Sequence, residues 1–252
     1  MDDQKYLLSS VANAFKILDL LGEEERLGLG EISTRLGMNK TSVYRYLYTL
    51  EAGGYIRKTS DAKYMLGSKF IYMASIIEER QTEFTDARHV LVKLRDTVGE
   101  TVHLSILLPD LKLMFVEKVA GTQTLQMRSR VGYQIPAYQS GCGKVLLASL
   151  LGTDREKEIY EIELKRSTDR TITDIDTLLQ ELKLTRERGY GEENGEAEQG
   201  LSCLAVPICN YDHETIAAIS ISGPTDRLRE HHDEYLRELR VAKRECEERF
   251  SL

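Results

Sequence analysis

The sequence lacks the features that mark membrane-spanning and secreted proteins. Its 252 residues include no tryptophan, four prolines and four cysteines. No run of about 18 apolar residues is present, so a membrane-spanning helix is not predicted. Residues 1–20 show helical periodicity with acidic residues near the start, which differs from a secretory signal. We therefore expect a cytoplasmic protein.

The cysteines follow no known metal or disulfide pattern. Cys142, Cys203, Cys209 and Cys246 form no CxxC pair, and no His-x-x-x-His pair accompanies them. Reduced thiols and no metal are therefore expected. Motifs of the GxSxG, Walker and HExxH types are also missing, so we predict no catalytic residue and no cofactor. One alternative remains, a thiol enzyme or a redox sensor that uses Cys142 or Cys203. Cys142 supports it because a thiol at a helix start is acidified.

Positive charge is scarce overall, with 34 Lys plus Arg against 41 Asp plus Glu and a formal net charge of −7. Such a balance disfavours nucleic-acid binding, because a protein on duplex DNA replaces counterions with clustered basic side chains. The distribution is uneven, however. Residues 39–69 contain six basic residues and two acidic ones. A local basic patch therefore exists on an acidic chain.

Residues 9–66 predict three helices and a hairpin. The first helix covers 9–21, is capped by Ser9 or Ser10, and carries an apolar stripe of Val11, Ala14, Phe15, Leu18 and Leu21. A short second helix in GEISTRLG ends at Gly37, and a third begins after Asn39. Two helices at this close spacing are typical of a helix-turn-helix.

The third helix and the hairpin hold the predicted DNA contacts. Val43, Leu47 and Leu50 form the buried stripe of the helix, and the hairpin of 55–58 and 63–66 is a wing. A recognition helix presents its first residues to base edges and phosphates in the major groove, and basic residues of a wing suit phosphates. The predicted DNA-binding residues are Lys40, Thr41, Ser42, Tyr44, Arg45, Arg57, Lys58 and Lys63. A small protein-binding module is the alternative that this periodicity leaves open.

A domain boundary is predicted after the wing. The predicted division is a DNA-binding domain over 1–67, a linker helix over 68–82 and a second domain over 83–252. The second domain mixes strands with amphipathic helices, which indicates an α+β sheet domain with flanking helices. Strands are predicted at 102–108, 113–119, 125–131, 203–208 and 215–222, and helices at 85–98, 143–151, 175–188 and 230–250. The acidic segment 189–203 is predicted to be a loop.

Two segments of the second domain predict a small-molecule pocket. Ser140-Gly141-Cys142-Gly143 enters a helix, and the first backbone N–H groups of a helix can bind an anion. In the strand 215–222, Ser220 and Ser222 point to the same face, and Cys203 shares one face of the preceding strand with Ala205. A plain helix start and a solvent-exposed sheet face are the alternatives.

The assembled motifs resemble the IclR family of bacterial regulators from about residue 9 to residue 222. In the first part the resemblance lies in SSVANAFKILDLL, LGLGEISTRLGMNKTSVYRYLYTLEAGGYI and KYMLG, and in the second in SGCGKVLLA, RGYGEENGEAEQGLSCLAVPI and AAISISGP. It implies a winged helix joined to a GAF-like effector domain, assembled as a homodimer or homotetramer. Two residues depart from the family pattern, because Glu193 replaces a common aspartate and Cys209 a frequent aromatic residue.

The resemblance also implies an effector pocket, residue by residue. The backbone amides of Gly141 and Cys142 and the side chains of Glu193, Cys203, Ser220 and Ser222 would bind the effector, with Met127, Ile135 and Leu201 as apolar walls. LKRSTDRTIT and LQMRSRVGYQIPAYQS further resemble the branch that responds to 2-keto-3-deoxygluconate. This implies a repressor of double-stranded operator DNA, with no membrane partner, that binds a keto-acid or another small carboxylate. The carboxylate suits helix-start amides and serine hydroxyls, and Glu193 would accept from sugar hydroxyls.

Overall fold

The computed structural model describes residues 7–80, 82–127 and 129–250, without the side chains of 78–80, 82–86 and 250. The chain forms two compact units, Met1–Gln81 and Thr82–Leu252. The finer division into 1–67, a linker over 68–82 and 83–252 stays a prediction. Across the described ranges, no helix is long and apolar enough to cross a membrane.

The first unit contains four helices and a small antiparallel sheet within its described residues. The elements are α1 (Ser9–Glu23), β1 (Leu27–Gly28), α2 (Leu29–Leu36), α3 (Lys40–Ala52), β2 (Ile56–Lys58), β3 (Lys63–Leu66) and α4 (Lys69–Arg80). The strands lie in the order β1-β3-β2. The predicted hairpin is thus confirmed, and β1 adds a two-residue strand to it that the sequence did not predict.

The helix-turn-helix is bounded by local sequence signals, a glycine that ends one helix and an asparagine that caps the next. Gly37 ends α2 in the left-handed conformation, with a φ of 63°. The Asn39 side chain caps α3 by accepting a hydrogen bond from the Ser42 backbone N–H at 2.8 Å. Val43 and Leu47 are fully buried beneath α3. The end of α2 and the start of α3 therefore lie where they were predicted.

The buried stripe of α1 differs from the prediction. Ile17 and Leu21 are buried, whereas Phe15 is 59% exposed and Val11 is 44% exposed. The helix is rotated so that the row through Ala14, Ile17 and Leu21 faces the core, because the 3.6-residue period fits both rows. The predicted serine cap is also wrong, since Leu8 occupies the cap position and no side chain bonds to the helix start.

The second unit alternates helices with a sheet of antiparallel strands. Its helices are α5 (Thr82–Val98), α6 (Gly141–Ala148), α7 (Glu156–Ile159), α8 (Ile175–Arg188), α9 (Thr225–Glu230) and α10 (His232–Phe250). Its strands are β4 (Thr101–Leu107), β5 (Lys112–Val119), β6 (Gln134–Pro136), β7 (Gly191–Asn194), β8 (Leu201–Cys209) and β9 (Thr215–Pro224). They form one six-stranded sheet in the order β6-β5-β4-β9-β8-β7.

Both faces of this sheet are covered. Ile219 and Ile221 of β9 lie in a core with apolar residues of α5 and α10. Ala218 of β9 and Ala205 of β8 lie in a second core with residues of α6 and α8. The face that carries Ser220 and Ser222 is therefore buried, and the alternative of an exposed sheet face is wrong.

Two strand predictions need correction. The described positions of 125–131 contain no strand, and the strand of this region is β6, a few residues later. The predicted loop over 189–203 contains β7, which pairs antiparallel with β8 along Gly191–Asn194. β7 consists of glycine, glutamate and asparagine, residues with low strand propensity, so its pairing with β8 rather than its own sequence makes it a strand.

Candidate functional site

The buried face of the sheet carries two polar rows that cross several strands. In the first row, Glu193 of β7 pairs with Cys203 of β8, Cys203 pairs with Ser222 of β9, and Ser222 pairs with Thr101 of β4. In the second row, Ala205, Ser220, His103 and Lys118 follow one another across β8, β9, β4 and β5. Residues that pair directly across strands point to the same face. These polar side chains therefore lie together beneath α6.

The start of α6 approaches this face closely, and glycine permits the approach. A side chain at Gly141 would come within 3.1 Å of the Cys203 carbonyl oxygen, and one at Gly191 would collide with the Gly141 carbonyl oxygen. The α6 cap position, Ser140, makes no side-chain hydrogen bond to the first turn. The first backbone N–H groups of α6 thus lie directly over the sheet without a side-chain cap from Ser140, and the N–H of Cys142 faces the Cys203 thiol.

The structure brings most of the predicted effector-binding residues into this one region. Gly141 and Cys142 begin α6, and Glu193, Cys203, Ser220 and Ser222 lie on the sheet face beneath it. Met127 and Ile135 pack against the same core from the β5–β6 side. Leu201 begins β8 and pairs with Pro224, at the end of this face. Their binding of an effector stays a prediction.

Glu193 is buried, and this burial changes its protonation. Its Oε1 accepts hydrogen bonds from the backbone N–H groups of Glu196 at 2.5 Å and Ala197 at 3.3 Å. Burial, with a smaller contribution from Cys203, raises the pKa of Glu193 to about 8. At neutral pH the side chain is mostly a neutral carboxylic acid, which can donate a hydrogen bond as well as accept one.

Glu193 is expected to make the fold less stable at higher pH. The folded pKa of about 8 exceeds the ordinary value of 4.5, so the folded state holds the proton more tightly than the unfolded state. The resulting penalty is absent below pH 4.5, grows between pH 4.5 and 8, and is complete above pH 8. Compared with wild type, Glu193→Gln should therefore gain stability by up to about 1.4 kcal/mol per pH unit across this window. Urea unfolding at pH 5, 6.5 and 8 measures the difference, and a pH-independent difference would contradict it.

Close to Glu193 in the chain, the buried ion pair of Lys144 and Glu196 joins α6 to the segment after β7. Lys144 is 2% exposed, and its Nζ lies 2.5 Å from Glu196 Oε1. The same Nζ donates to the Glu192 carbonyl oxygen at 3.0 Å and lies 3.9 Å from Glu181 Oε1. Burial raises the pKa of Glu196, and Lys144 opposes this effect. The pair holds the turn whose backbone N–H groups bind Glu193.

The position of Cys142 at a helix start suggested a lowered pKa for its thiol, and the structure contradicts this suggestion. Burial raises the pKa of the Cys142 thiol well above its ordinary range, because desolvation outweighs the helix start. Hydrogen bonding from Cys142 lowers the pKa of Cys203 to about 7, with burial opposing it. Cys142 is fully buried and Cys203 is 7% exposed, so both sulfurs are shielded from solvent. The thiol-enzyme and redox-sensor alternative is therefore not supported.

A thiol titration checks this burial. We expect Ellman's reagent to modify one cysteine quickly in the native protein, because Cys209 is half-buried while Cys142, Cys203 and Cys246 are buried. The other three should react only when guanidinium unfolds the chain. Cys209→Ser serves as the control and should abolish the fast phase. Fast reaction of two or more thiols in that variant would show that Cys142 or Cys203 is accessible.

Two polar residues that sequence reasoning missed, His103 and Lys118, lie on the same buried face. A β-bulge explains why alternation did not reveal Lys118. Ser105 pairs with Phe115, but Leu104 pairs with Glu117, so Val116 is an extra residue in β5. After a bulge the side chains swap faces, and Lys118 therefore shares a face with Phe115, three residues earlier.

A cavity on the opposite face of the sheet is a separate feature. It has a volume of about 170 Å³ and lies between β7, β8 and the helices α9 and α10. Its lining includes Leu204, Leu228 and His232. Leu204 and Leu228 belong to the core of the other face. Within the described part of the chain, no group of three His, Cys, Asp or Glu side chains is arranged to hold a metal ion.

In the first unit, α3 presents an exposed polar face opposite its buried stripe. Thr41, Arg45 and Tyr48 are exposed there, beside Lys40 and Tyr44, and the predicted set does not include Tyr48. Ser42 is half-buried, and its backbone N–H is occupied by the cap.

The predicted wing residues differ in their exposure. Arg57 and Lys58 of β2 are exposed, and Lys58 Nζ lies 5.6 Å from the centre of the Tyr64 ring. Lys63 of β3 is half-buried, with its Nζ 3.9 Å from Glu31 Oε2. Lys63 is thus less available to a phosphate than Arg57 or Lys58. The contacts of all eight predicted residues with DNA stay a prediction.

A winged helix-turn-helix on one unit and a sheet unit with an enclosed polar face on the other define a DNA-binding transcriptional regulator. Residues 10–60 match the IclR helix-turn-helix domain, and residues 79–247 match the carboxy-terminal domain of the bacterial transcriptional regulator IclR. The chain belongs to the IclR family of bacterial transcriptional regulators.

Individual relatives agree over nearly the whole chain. The HTH-type transcriptional regulator KdgR of Escherichia coli is 39% identical over 247 residues, which cover 97% of this chain and 93% of that protein. The transcriptional repressor IclR of the same organism is 28% identical, over 88% of this chain and 82% of that protein. The crystal structure of the Thermotoga maritima IclR superimposes with a TM-score of 0.73 at 30% identity, covering 97% and 99% of the two chains.

Proposed function

We propose that this protein is a repressor whose affinity for its operator is lowered by a small carboxylated keto-acid, with 2-keto-3-deoxygluconate as the first candidate. One observation carries the proposal: the polar rows of the sheet are buried directly beneath the uncapped start of α6. Buried polar groups persist in proteins when a partner satisfies them. The likeness to KdgR and to a protein named a repressor supports the sign of the regulation.

The chemistry of this region suits a keto-acid. The first N–H groups of α6 and the hydroxyls of Ser220 and Ser222 are donors for a carboxylate. Glu193 in its neutral form donates to a carboxylate or keto oxygen without adding a repelling charge. A phosphate, with its larger charge, would find no arginine in these two rows to bind it.

We infer that the working form is a homodimer or homotetramer. A helix-turn-helix protein that binds as a dimer reads two half-sites on operator DNA. Apolar side chains exposed on α1 and α4 of the first unit support self-association, namely Val11, Phe15, Ile71, Met73 and Ile77. Effector binding in the second unit would then change the spacing of the paired recognition helices, which is allosteric regulation.

The experiment begins by selecting operator duplexes from genomic DNA fragments with the full chain. Fluorescence anisotropy then measures the affinity for the selected duplex with and without 2-keto-3-deoxygluconate. We expect the ligand to weaken binding at least tenfold, and gluconate, which lacks the keto group, to have a smaller effect. Unchanged operator affinity with 2-keto-3-deoxygluconate, pyruvate and related keto-acids would overturn the proposal.

A further inference from the structure

The second polar row extends beyond the residues predicted to bind the effector. His103 pairs with Ser220 on one side and with Lys118 on the other. Neighbouring strands lie about 4.8 Å apart, so Lys118 is about 10 Å from Ser220 across the row. The thiol of Cys142, at the start of α6, lies near both Ser220 and Ser105. The region of Lys118, His103 and Ser105 is thus continuous with the buried polar face beneath α6.

Two buried polar atoms in this region have no hydrogen-bond partner. His103 and Ser105 are both 0% exposed. Among the described residues, His103 Nδ1 and Ser105 Oγ make no hydrogen bond. The nearby Cys142 thiol is a weak hydrogen-bonding group and does not satisfy the serine. Each unpaired buried group destabilises the unliganded chain, and a bound ligand that pairs with it recovers this cost.

The loop between β5 and β6 closes over these groups. Lys118 Nζ donates to the carbonyl oxygens of Ser129 at 2.7 Å and Met127 at 3.4 Å. The Ser129 hydroxyl lies 2.7 Å from His103 Nε2. An ammonium group has three donors, and these two acceptors leave one. In the described chain, Lys118 is paired with no carboxylate within 4 Å.

We infer that Lys118, His103 and Ser105 form a subsite that binds the hydroxylated chain of the effector, next to the place where its keto-carboxylate end binds. This inference rests on the proposed function and adds the residues that select sugar acids over short keto-acids.

The pairing chemistry favours hydroxyl groups over a second carboxylate. Burial, reinforced by the charge of Lys118, lowers the pKa of His103 to about 3, so the ring is neutral. The Ser129 hydroxyl can donate to Nε2 or accept from it, so Nδ1 presents either an N–H or a lone pair. A ligand hydroxyl can match both forms, and it can match Ser105 Oγ as well. A carboxylate can only accept, so it cannot pair with a lone pair of His103 Nδ1, whereas the free donor of Lys118 serves a hydroxyl as well as a carboxylate.

Calorimetric titration of the full chain with 2-keto-3-deoxygluconate and with pyruvate tests the subsite. Both ligands have a keto-carboxylate end, but pyruvate has no hydroxyls. We expect wild type to bind 2-keto-3-deoxygluconate at least tenfold more tightly. His103→Phe keeps an aromatic ring against Phe115, whose centroid lies 4.4 Å from that of His103, but loses both nitrogens. It should bind 2-keto-3-deoxygluconate about tenfold more weakly and pyruvate as wild type does.

Ser105→Ala distinguishes a loss of ligand affinity from a loss of stability. It should weaken binding of 2-keto-3-deoxygluconate similarly, while the melting temperature of the unliganded chain stays the same or rises, because an unpaired buried hydroxyl is removed. Ser202→Ala is the matched control. Ser202 is another buried serine, its hydroxyl bonds to Thr225, and it lies on the opposite face of β8, so neither affinity should change.

The outcomes distinguish the subsite from the function on which it rests. Wild type that binds pyruvate as tightly as 2-keto-3-deoxygluconate overturns the subsite alone. Variants that bind 2-keto-3-deoxygluconate as wild type does, or lose both ligands equally, also overturn it. Wild type that binds neither compound overturns the proposed effector and the subsite together.

Discussion

Replacing Arg45 with alanine should weaken operator binding by roughly 10- to 100-fold without changing the fold. Arg45 is exposed on the α3 face opposite Val43 and Leu47, so its removal disturbs no buried contact. An arginine that contacts a guanine edge or a phosphate contributes about 1–3 kcal/mol to binding. Fluorescence anisotropy on the selected operator, with circular dichroism to confirm folding, measures the effect.

Arg35→Ala is the matched control for this loss of one positive charge. Arg35 lies in the last turn of α2 and pairs with Glu24 at 2.5 Å on the surface. We expect its loss to change operator affinity less than threefold. Binding measured at several salt concentrations then assigns the role of Arg45. If Arg45 contacts a phosphate, its loss reduces the slope of log binding constant against log salt concentration by about 1. If it contacts a base, its loss relaxes the discrimination between operator sequences. Equal affinity of Arg45→Ala and wild type would contradict the orientation of α3 on DNA.

Replacing Lys144 with methionine should destabilise the second unit by about 3–5 kcal/mol. Lys144 is 2% exposed and is the ion-pair partner of Glu196, which is itself buried. Methionine fills the space but leaves the Glu196 carboxylate without its counter-charge in a low-dielectric site, and an uncompensated buried charge is costly. Urea unfolding of the full chain measures the change.

The double variant Lys144→Met/Glu196→Gln should recover most of that loss. It removes both charges, and replacing a whole buried pair is often close to neutral. Glu181 lies 3.9 Å from Lys144, but it also bonds to Arg188 at 2.9 Å and keeps that partner. If the single variant costs less than 1 kcal/mol, or if the double variant is no more stable than the single, the buried pair is not the stabilising contact we describe.

Much of the fold follows from local signals in the sequence. Gly37 and Asn39 mark helix boundaries through backbone conformation and capping, which depend on neighbouring residues alone. Ser220 and Ser222 share a face because β9 is regular, and alternation holds along it. Helix α8 is predicted to the residue, because Asp174 caps it and Gly189 ends it.

The remainder depends on contacts between distant segments. β7 becomes a strand because β8 offers it a partner, which no window of sequence shows. The burial of Cys142 and the protonation of Glu193 arise from the packing of α6 on the sheet. Sequence reasoning therefore placed both residues in one region but did not give their ionisation: it left an acidified thiol open for Cys142 and treated Glu193 as an acceptor, whereas burial raises the pKa of both groups.

Val116, the extra residue of the β5 bulge, has a consequence for the charge of the sheet face beneath α6. With Val116 present, Lys118 projects toward α6 and Glu117 projects to the opposite face, where it pairs with Arg88. If Val116 instead held an ordinary place in the ladder, Glu117 would pair with His103 and Lys118 with Val102, so the two side chains would exchange faces. Glu117 would then lie on the face beneath α6 instead of Lys118. The bulge thus sets the sign of the charge that this end of the face carries.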